Sequence, residues 1–294
     1  MFEAGFIAVD WGTTNRRGYR VGPDGRHDAA YEDERGVLSV EPGDFPAAAA
    51  ELRDRLGDLP MLLAGMVGSN RGWVEAPYVP CPGSYDALAA GVVWAERGRS
   101  AIVPGFSFLQ GDRADVMRGE EVQLLGAVTS GVLPTDGLAC HPGTHNKWVS
   151  LTGGAIQSFR TVMTGELFNL LKSKGILADW LQQLVVAGDA FRAGVRQGLK
   201  GQAMGADLFA VRARVLLGHA MAEDAASFTS GLLIGSDVRA GLTEASTGPV
   251  TVIGRPELTT LYAAAVEEAG RETHEVDGED AFLAGIVEVA RRVK

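Results

Sequence analysis

The chain has 294 residues, 46% of them hydrophobic and 22% charged, a globular mixture long enough for two domains or one large one. Its formal net charge of −10 disfavours nucleic acid as a partner, because phosphate backbones are met by a basic face; an anionic small molecule can still be held by a few local cations. Two cysteines, Cys81 and Cys140, give no disulfide framework. With no signal-like start and no apolar run of membrane-span length, the expected location is the cytoplasm, away from membranes.

In chain order, the apolar residues 6–9 read as a buried strand, followed by a tight polar turn over 11–15 and a second extended segment over 16–20. Pro23-Asp24-Gly25-Arg26 reads as a turn between strands. Ala and Leu recur on one face of residues 44–56, which predicts a helix. Residues 61–64 are a short strand entering a glycine-rich loop, 65–72, and residues 101–105 form another strand. A charged loop over 111–119 leads into a helix over 120–128, and 131–137 reads as a linker. Beyond it come a strand over 138–140, a second polar loop over 141–147, and a hairpin of 148–151 with 156–159. Residues 165–240 are mostly helical in pattern, 249–254 are a strand, and helices over 258–269 and 280–292 close the chain. Both halves run strand, polar Gly/Thr loop, strand, then helices, as two lobes of related design would.

Five segments carry chemistry. Asp10-Trp11-Gly12-Thr13-Thr14-Asn15 places a carboxylate at a strand end, where it can hold Mg²⁺, and then small residues whose N–H groups and hydroxyls can meet phosphate oxygens. Arg16 and Arg17 follow as cations able to neutralise a phosphate or a substrate carboxylate. An ordinary hairpin turn has the same composition. His141-Pro142-Gly143-Thr144-His145-Asn146-Lys147 suits a second phosphate clamp; Pro142 and Gly143 argue against a helical His141/His145 metal pair. In Asp115-Val116-Met117-Arg118-Gly119-Glu120-Glu121, one carboxylate can accept the proton of an attacking hydroxyl, while others at a helix start can be dipole partners. Gly254, between a strand and Pro256, is either a flat surface for adenosine or a plain strand–helix turn. Ser69, Asn70, Arg71, Trp73 and Tyr78, set among glycines, offer hydrogen bonds, a cation and stacking faces to a polyhydroxylated acid, or form a structured surface loop.

Asp10-Trp11-Gly12-Thr13-Thr14, Pro142-Gly143-Thr144-His145 and Val252-Ile253-Gly254 resemble, in order and wide spacing, the two phosphate motifs and the adenosine motif of the superfamily of acetate and sugar kinases, heat-shock chaperones and actin. The phrases IAVDWGTTN, GMVGSNRGWVEAPYVPCP, DVMRGEE, HPGTHNKWV, TVMTGELFNLL and SGLLIGSDV, spread over nearly the whole chain, resemble the 2-dehydro-3-deoxygalactonokinase family in particular.

The resemblance implies an α/β fold of two ribonuclease-H-like, actin-like ATPase lobes with ATP in the cleft between them. The expected lobes are residues 1–130, with the first phosphate loop and the sugar-acid site, and 131–294, with the second phosphate loop and the adenosine site. It implies transfer of the γ-phosphoryl of ATP to the 6-hydroxyl of 2-dehydro-3-deoxy-D-galactonate, with Mg²⁺. Asp10 would organise the metal; Gly12, Thr13, Thr14, Gly143, Thr144, Lys147 and Gly254 would hold ATP. Ser69, Asn70, Arg71, Trp73 and Arg118 would hold the acid, with Arg71 or Arg118 on its carboxylate and Arg16, Arg17 and Arg160 in reserve. Related carbohydrate kinases use an Asp after Gly as base; Glu120 stands in that place here, with Glu121 and Asp115 as alternatives. Trp11 and Trp148 are expected to be packing residues. Another acid or sugar as substrate, a non-catalytic nucleotide sensor, an interaction protein and a homo-oligomer all stay open at this point.

Overall fold

The computed structural model describes residues 2–244 and 247–294, without the side chain of Glu279. Its buried strands and their covering helices sort into two units. The first takes the chain up to Thr135, with Thr152–Ser158 and Gly278–Lys294; the second takes Asp136–Leu151 and Phe159–Asp277.

The first unit contains β1 (Phe6–Trp11), β2 (Arg16–Val21), β3 (His27–Asp33), α1 (Phe45–Leu56), β4 (Met61–Ala64), β5 (Tyr78–Pro80), α2 (Tyr85–Ala90), β6 (Val93–Glu96), β7 (Ser100–Ile102), β8 (Gly105–Gln110), β9 (Arg113–Met117) and α3 (Glu120–Thr129). Its main sheet has the order β3-β2-β1-β4-β7-β6; β5, β8 and β9 form a separate small sheet. β1, β2 and β3 are an antiparallel meander, while β4 runs parallel to β1 and β7 parallel to β4. Residues 6–9 of β1 and all of β4 are apolar runs because these adjacent parallel strands are covered on both faces. Ile7, Val9, Trp11, Leu63 and the α1 residues Phe45 and Leu52 make the core.

The second unit contains β10 (Gly137–His141), β11 (Asn146–Thr152), β12 (Ala155–Val162, whose first half is grouped with the first unit), α4 (Thr164–Lys174), α5 (Asp189–Leu199), α6 (Met204–Leu216), α7 (Ala225–Gly241), β13 (Val250–Gly254), α8 (Pro256–Glu268) and β14 (Thr273–Asp277), before α9 (Gly278–Arg292) returns to the first. Its sheet order, β12-β11-β10-β13-β14, repeats the plan of β3-β2-β1-β4-β7. β10 is antiparallel to β11 and parallel to β13, which is parallel to β14. This shared order is the ribonuclease-H-like plan, so the echo between the halves is a repeated topology.

These units differ from the expected division at residues 130 and 131 by placing 131–135, 152–158 and above all the C-terminal helix in the first unit. For that helix the cause is a helix pair with glycine at its contact. A Cβ on Gly126 of α3 would overlap the carbonyl of Ala281 on α9, and one on Gly285 would overlap the carbonyl of Val122. Such close backbones make α9 part of the first unit's core. The second unit has its own version. Cβ atoms on Gly194 and Gly198 of α5 would overlap carbonyls of Phe228 and Leu232 on α7, and those on Gly231 and Gly235 would overlap Phe191 and Val195.

Other expectations change in detail. The charged segment 111–119 is largely β9, hydrogen-bonded to β8, with Met117 buried and Val116 outward. β3 is the strand expected after the Pro23–Arg26 turn, whereas the charged β14 is a strand that sequence pattern did not indicate. Cys81 and Cys140 are free thiols. No helix among the described residues is long and apolar enough to cross a membrane.

Candidate active site

In each unit the polar loops leave the carboxyl ends of adjacent parallel strands, the edge where open α/β sheets bind ligands. In the first unit these are the loops after β1 and β4. The N–H of Gly12 closes the first loop on the carbonyl of Asn15 at 2.9 Å. The carbonyls of Gly12, Thr13 and Thr14 accept from Val37 (3.0 Å), Leu38 (3.2 Å) and Gly36 (2.9 Å). With their carbonyls held from behind, Thr13 and Thr14 stand exposed in the loop. Gly36 is a residue the sequence reading missed: a Cβ there would overlap the backbone of Thr13 and Thr14.

Three chain segments converge beside Asp10. Gly65, at φ +94°, leaves only 2.8 Å between its Cβ position and the carbonyl of Trp11, and 3.4 Å to Oδ1 of Asp10. Gly119, at φ +107°, would place a Cβ 3.1 Å from Cα of Gly65. Positive φ and this crowding both require glycine. They bring the Asp10 carboxylate and the N-terminus of α3 to one place. There Glu120 is half-buried and accepts from the N–H of Arg118 at 3.0 Å. Glu121 is fully buried and accepts from the N–H of Gly119 at 2.9 and 2.8 Å. Burial, then the neighbouring charge of Glu120, push the Glu121 carboxyl up to about 8. Asp115 lies inside β9, opposite Phe108.

The cations are not interchangeable. Arg16 is buried and spent on Asp33 (2.9 and 2.8 Å), the carbonyl of Ala48 (2.7 Å) and Glu51 (3.3 Å), so it is a strut and not a phosphate ligand. Arg17 pairs with Glu32 and Arg160 with Glu244. Arg118 is buried, donates to the carbonyl of Ala76 at 2.8 Å and lies 4.3 Å from the ring centre of Tyr78. It thereby ties down the loop that follows β4. Arg71, on that loop, is exposed with no ion-pair partner among the described residues. Asn70 beside it is exposed; Ser69 is buried, its Oγ accepting from the N–H of Arg71 at 3.2 Å. Trp73 stacks on Phe45 with ring centres 6.4 Å apart, and Trp11, fully buried, donates its Nε1 to the carbonyl of Arg35.

In the second unit the loops after β10 and β13 meet. Gly254, at φ +151°, would place a Cβ 3.7 Å from Cδ of Pro142, so the expected adenosine glycine borders the expected second phosphate loop. Thr144 and His145 are exposed. Lys147 is buried on β11, on the strand face opposite Asn146 and Trp148. The N-terminus of α4 grips the loop: Glu166 donates its N–H to the carbonyl of Thr144 at 3.0 Å and pairs with His145 at 2.5 Å. SGLLIGSDV lies in α7, the α-helix that precedes β13 in the chain.

Known proteins resemble the chain over its whole length. The family model described as 2-keto-3-deoxy-galactonokinase matches residues 10–289. The chain is 37% identical over 301 residues to the 2-dehydro-3-deoxygalactonokinase of Escherichia coli (strain K12), with 99% of each covered. A crystal structure from Sinorhizobium meliloti, described as a 2-dehydro-3-deoxygalactonokinase, has a TM-score of 0.90 at 34% identity, covering 97% of this chain and 98% of that one. At 11% identity, component A of the (R)-2-hydroxyglutaryl-CoA dehydratase of Acidaminococcus fermentans has a TM-score of 0.53, a likeness of fold alone.

Proposed function

The chain belongs to the 2-keto-3-deoxy-galactonokinase family, and from that premise we propose how its residues phosphorylate 2-dehydro-3-deoxy-D-galactonate at the 6-hydroxyl, giving ADP and the 6-phosphate in galactonate breakdown. The observation that carries the assignment is the meeting of Asp10, Gly65 and Gly119, which sets a strand-end carboxylate beside the helix start bearing Glu120.

Glu120 is the general base that accepts the proton of the attacking 6-hydroxyl. Glu121 is unsuited, because it is shut off from solvent and keeps its proton near neutral pH. Glu121 instead fixes the Gly119 turn that aims Glu120. Thr13 and Thr14 bind phosphate oxygens; Gly143, Thr144 and Gly254 bind the nucleotide, and phosphoryl transfer then depends on alignment and charge neutralisation. Asp10 fits a Mg²⁺ ion that draws most of its ligands from phosphate and water, since no group of three metal-ligating side chains occurs among the described residues. Such an ion would neutralise charge on the transferring phosphoryl group.

Arg71 takes the carboxylate of the acid and Arg118 holds the loop that presents it. Arg71→Ala is expected to raise KM for the acid about tenfold with kcat nearly unchanged. An unchanged KM would remove Arg71 from the site. The function itself is tested by ADP release with ATP and Mg²⁺, comparing the galactonate acid with its gluconate epimer. Turnover of the epimer alone would keep the kinase and discard the substrate.

A further inference from the structure

The phrases TVMTGELFNLL and SGLLIGSDV contribute no residue to the roles assigned above, yet one buried group ties them together. Asp237, on α7, is 1% exposed. It accepts from Nδ2 of Asn146 at 3.1 and 3.0 Å, from Nε1 of Trp148 at 2.7 Å, from Oγ1 of Thr164 at 2.6 Å and from the hydroxyl of Tyr262 at 2.5 Å. A carboxyl so far from water is tolerated only when its lone pairs are taken. Here they are taken by β11, α4 and α8 together.

Two of those donors bracket the loop after β10. Asn146 is the first residue of β11, where that loop ends. Thr164 opens α4, and the next residue, Gly165, packs on Gly143: a Cβ there would lie 2.5 Å from its carbonyl oxygen and 2.9 Å from Cα of Thr144. Glu166 adds its N–H bond to the carbonyl of Thr144. Asp237 therefore fixes the spacing between the strand that ends the loop and the helix that backs it.

We infer that Asp237 is a positioning residue for nucleotide binding, holding Gly143 and Thr144 in register through Asn146 and Thr164. The inference rests on the reading of Gly143 and Thr144 as a phosphate loop. Tyr262 provides the control, because it spends one hydrogen bond on the same oxygen as Thr164 but sits within α8, outside the bracket.

The test compares Thr164→Val with Tyr262→Phe, each deleting one bond to Asp237, and includes Thr164→Ser and Thr144→Val. Thr164→Val is expected to raise KM for ATP about tenfold and leave KM for the acid unchanged, with Thr164→Ser restoring the wild-type value. Tyr262→Phe is expected to lower Tm while leaving KM for ATP within about twofold. The proposal is overturned if Thr164→Val leaves KM for ATP unchanged, or if Tyr262→Phe raises it equally. If Thr144→Val itself has no effect on KM for ATP, the phosphate-loop reading falls first and takes the inference with it. If Thr144→Val raises KM and Thr164→Val does not, the inference falls alone. Asp237→Asn, where it folds, should exceed Thr164→Val in the same direction; a wild-type KM for ATP in that variant would also overturn the proposal.

Discussion

Arg16 and Asn146 hold the same place in the two units. Each begins the second strand of its sheet, directly after a Gly/Thr loop, and each is buried and pinned by a carboxylate. The means differ. Arg16 meets Asp33, whose side chain is 23% exposed at the sheet's edge strand, so that carboxylate keeps some water. Asn146 is neutral and meets Asp237, which has none and must collect four donor residues. An ion pair near solvent can anchor a loop with little help. A buried carboxylate makes the loop depend on the surrounding helices. The first loop is accordingly backed by a local turn, Gly36 to Leu38, and the second by the start of α4.

The largest effect should come from the base, which lies in the first unit only. Glu120→Gln should lower kcat by roughly 10²- to 10⁴-fold with KM values near wild type; a smaller loss than that from Glu121→Gln would exchange their roles. Next come the two anchors. Asp237→Ala strands several buried donors and should cost about 3–5 kcal/mol. Asp33→Ala should cost about 1–2 kcal/mol, because Arg16 keeps the carbonyl of Ala48 and Glu51. Urea denaturation of both variants measures the gap, and equal losses would erase the contrast between the anchors.

The pH dependence sharpens it further. Glu121 has a folded pKa of about 8 against an ordinary 4.5. Its contribution is present below pH 4.5 and lost as pH rises through 8, with a slope of up to roughly 1.4 kcal/mol per pH unit. Glu121→Gln should flatten that decline in a denaturation series over this window. Asp33, whose pKa is lowered against the pull of burial by its bonds to Arg16 and the N–H of Arg35, acts in the opposite sense: its contribution is lost only as pH falls below the ordinary carboxylate range. The two glycine helix pairs extend the comparison to packing. Gly126→Ala and Gly194→Ala should each cost about 1–3 kcal/mol by forcing backbones apart. If only one were damaging, the parallel between α3/α9 and α5/α7 would end there.

Much of the fold was legible because parallel strands buried on both faces must be apolar runs, as residues 6–9, 61–64 and 249–254 are. β9 and β14 escaped because of charged residues that sequence pattern reads as loop: half-buried Arg113 and Asp115 in β9, and exposed Glu275 and Asp277 in β14. The loops themselves were visible, since small residues after a strand have few other uses. The fate of each polar side chain was not. Arg16 looked like a free cation until Asp33 and Ala48 folded onto it, and Arg118 until Ala76 did. Asp237 gave no local signal, because Asn146, Trp148 and Thr164 lie 91, 89 and 73 positions away. Glu120 and Glu121 are adjacent in sequence, and only burial separates them.

The return of α9 to the first unit bears on how the chain is made. During synthesis the second unit is complete once residue 277 has emerged, whereas the first still lacks the helix that covers α3. Domains usually finish folding from the N-terminus onward; here the order is reversed. The first unit therefore closes last, and a chain cut shortly before α9 would carry a finished second unit joined to a first unit with the α3 surface at Val122 and Gly126 still uncovered.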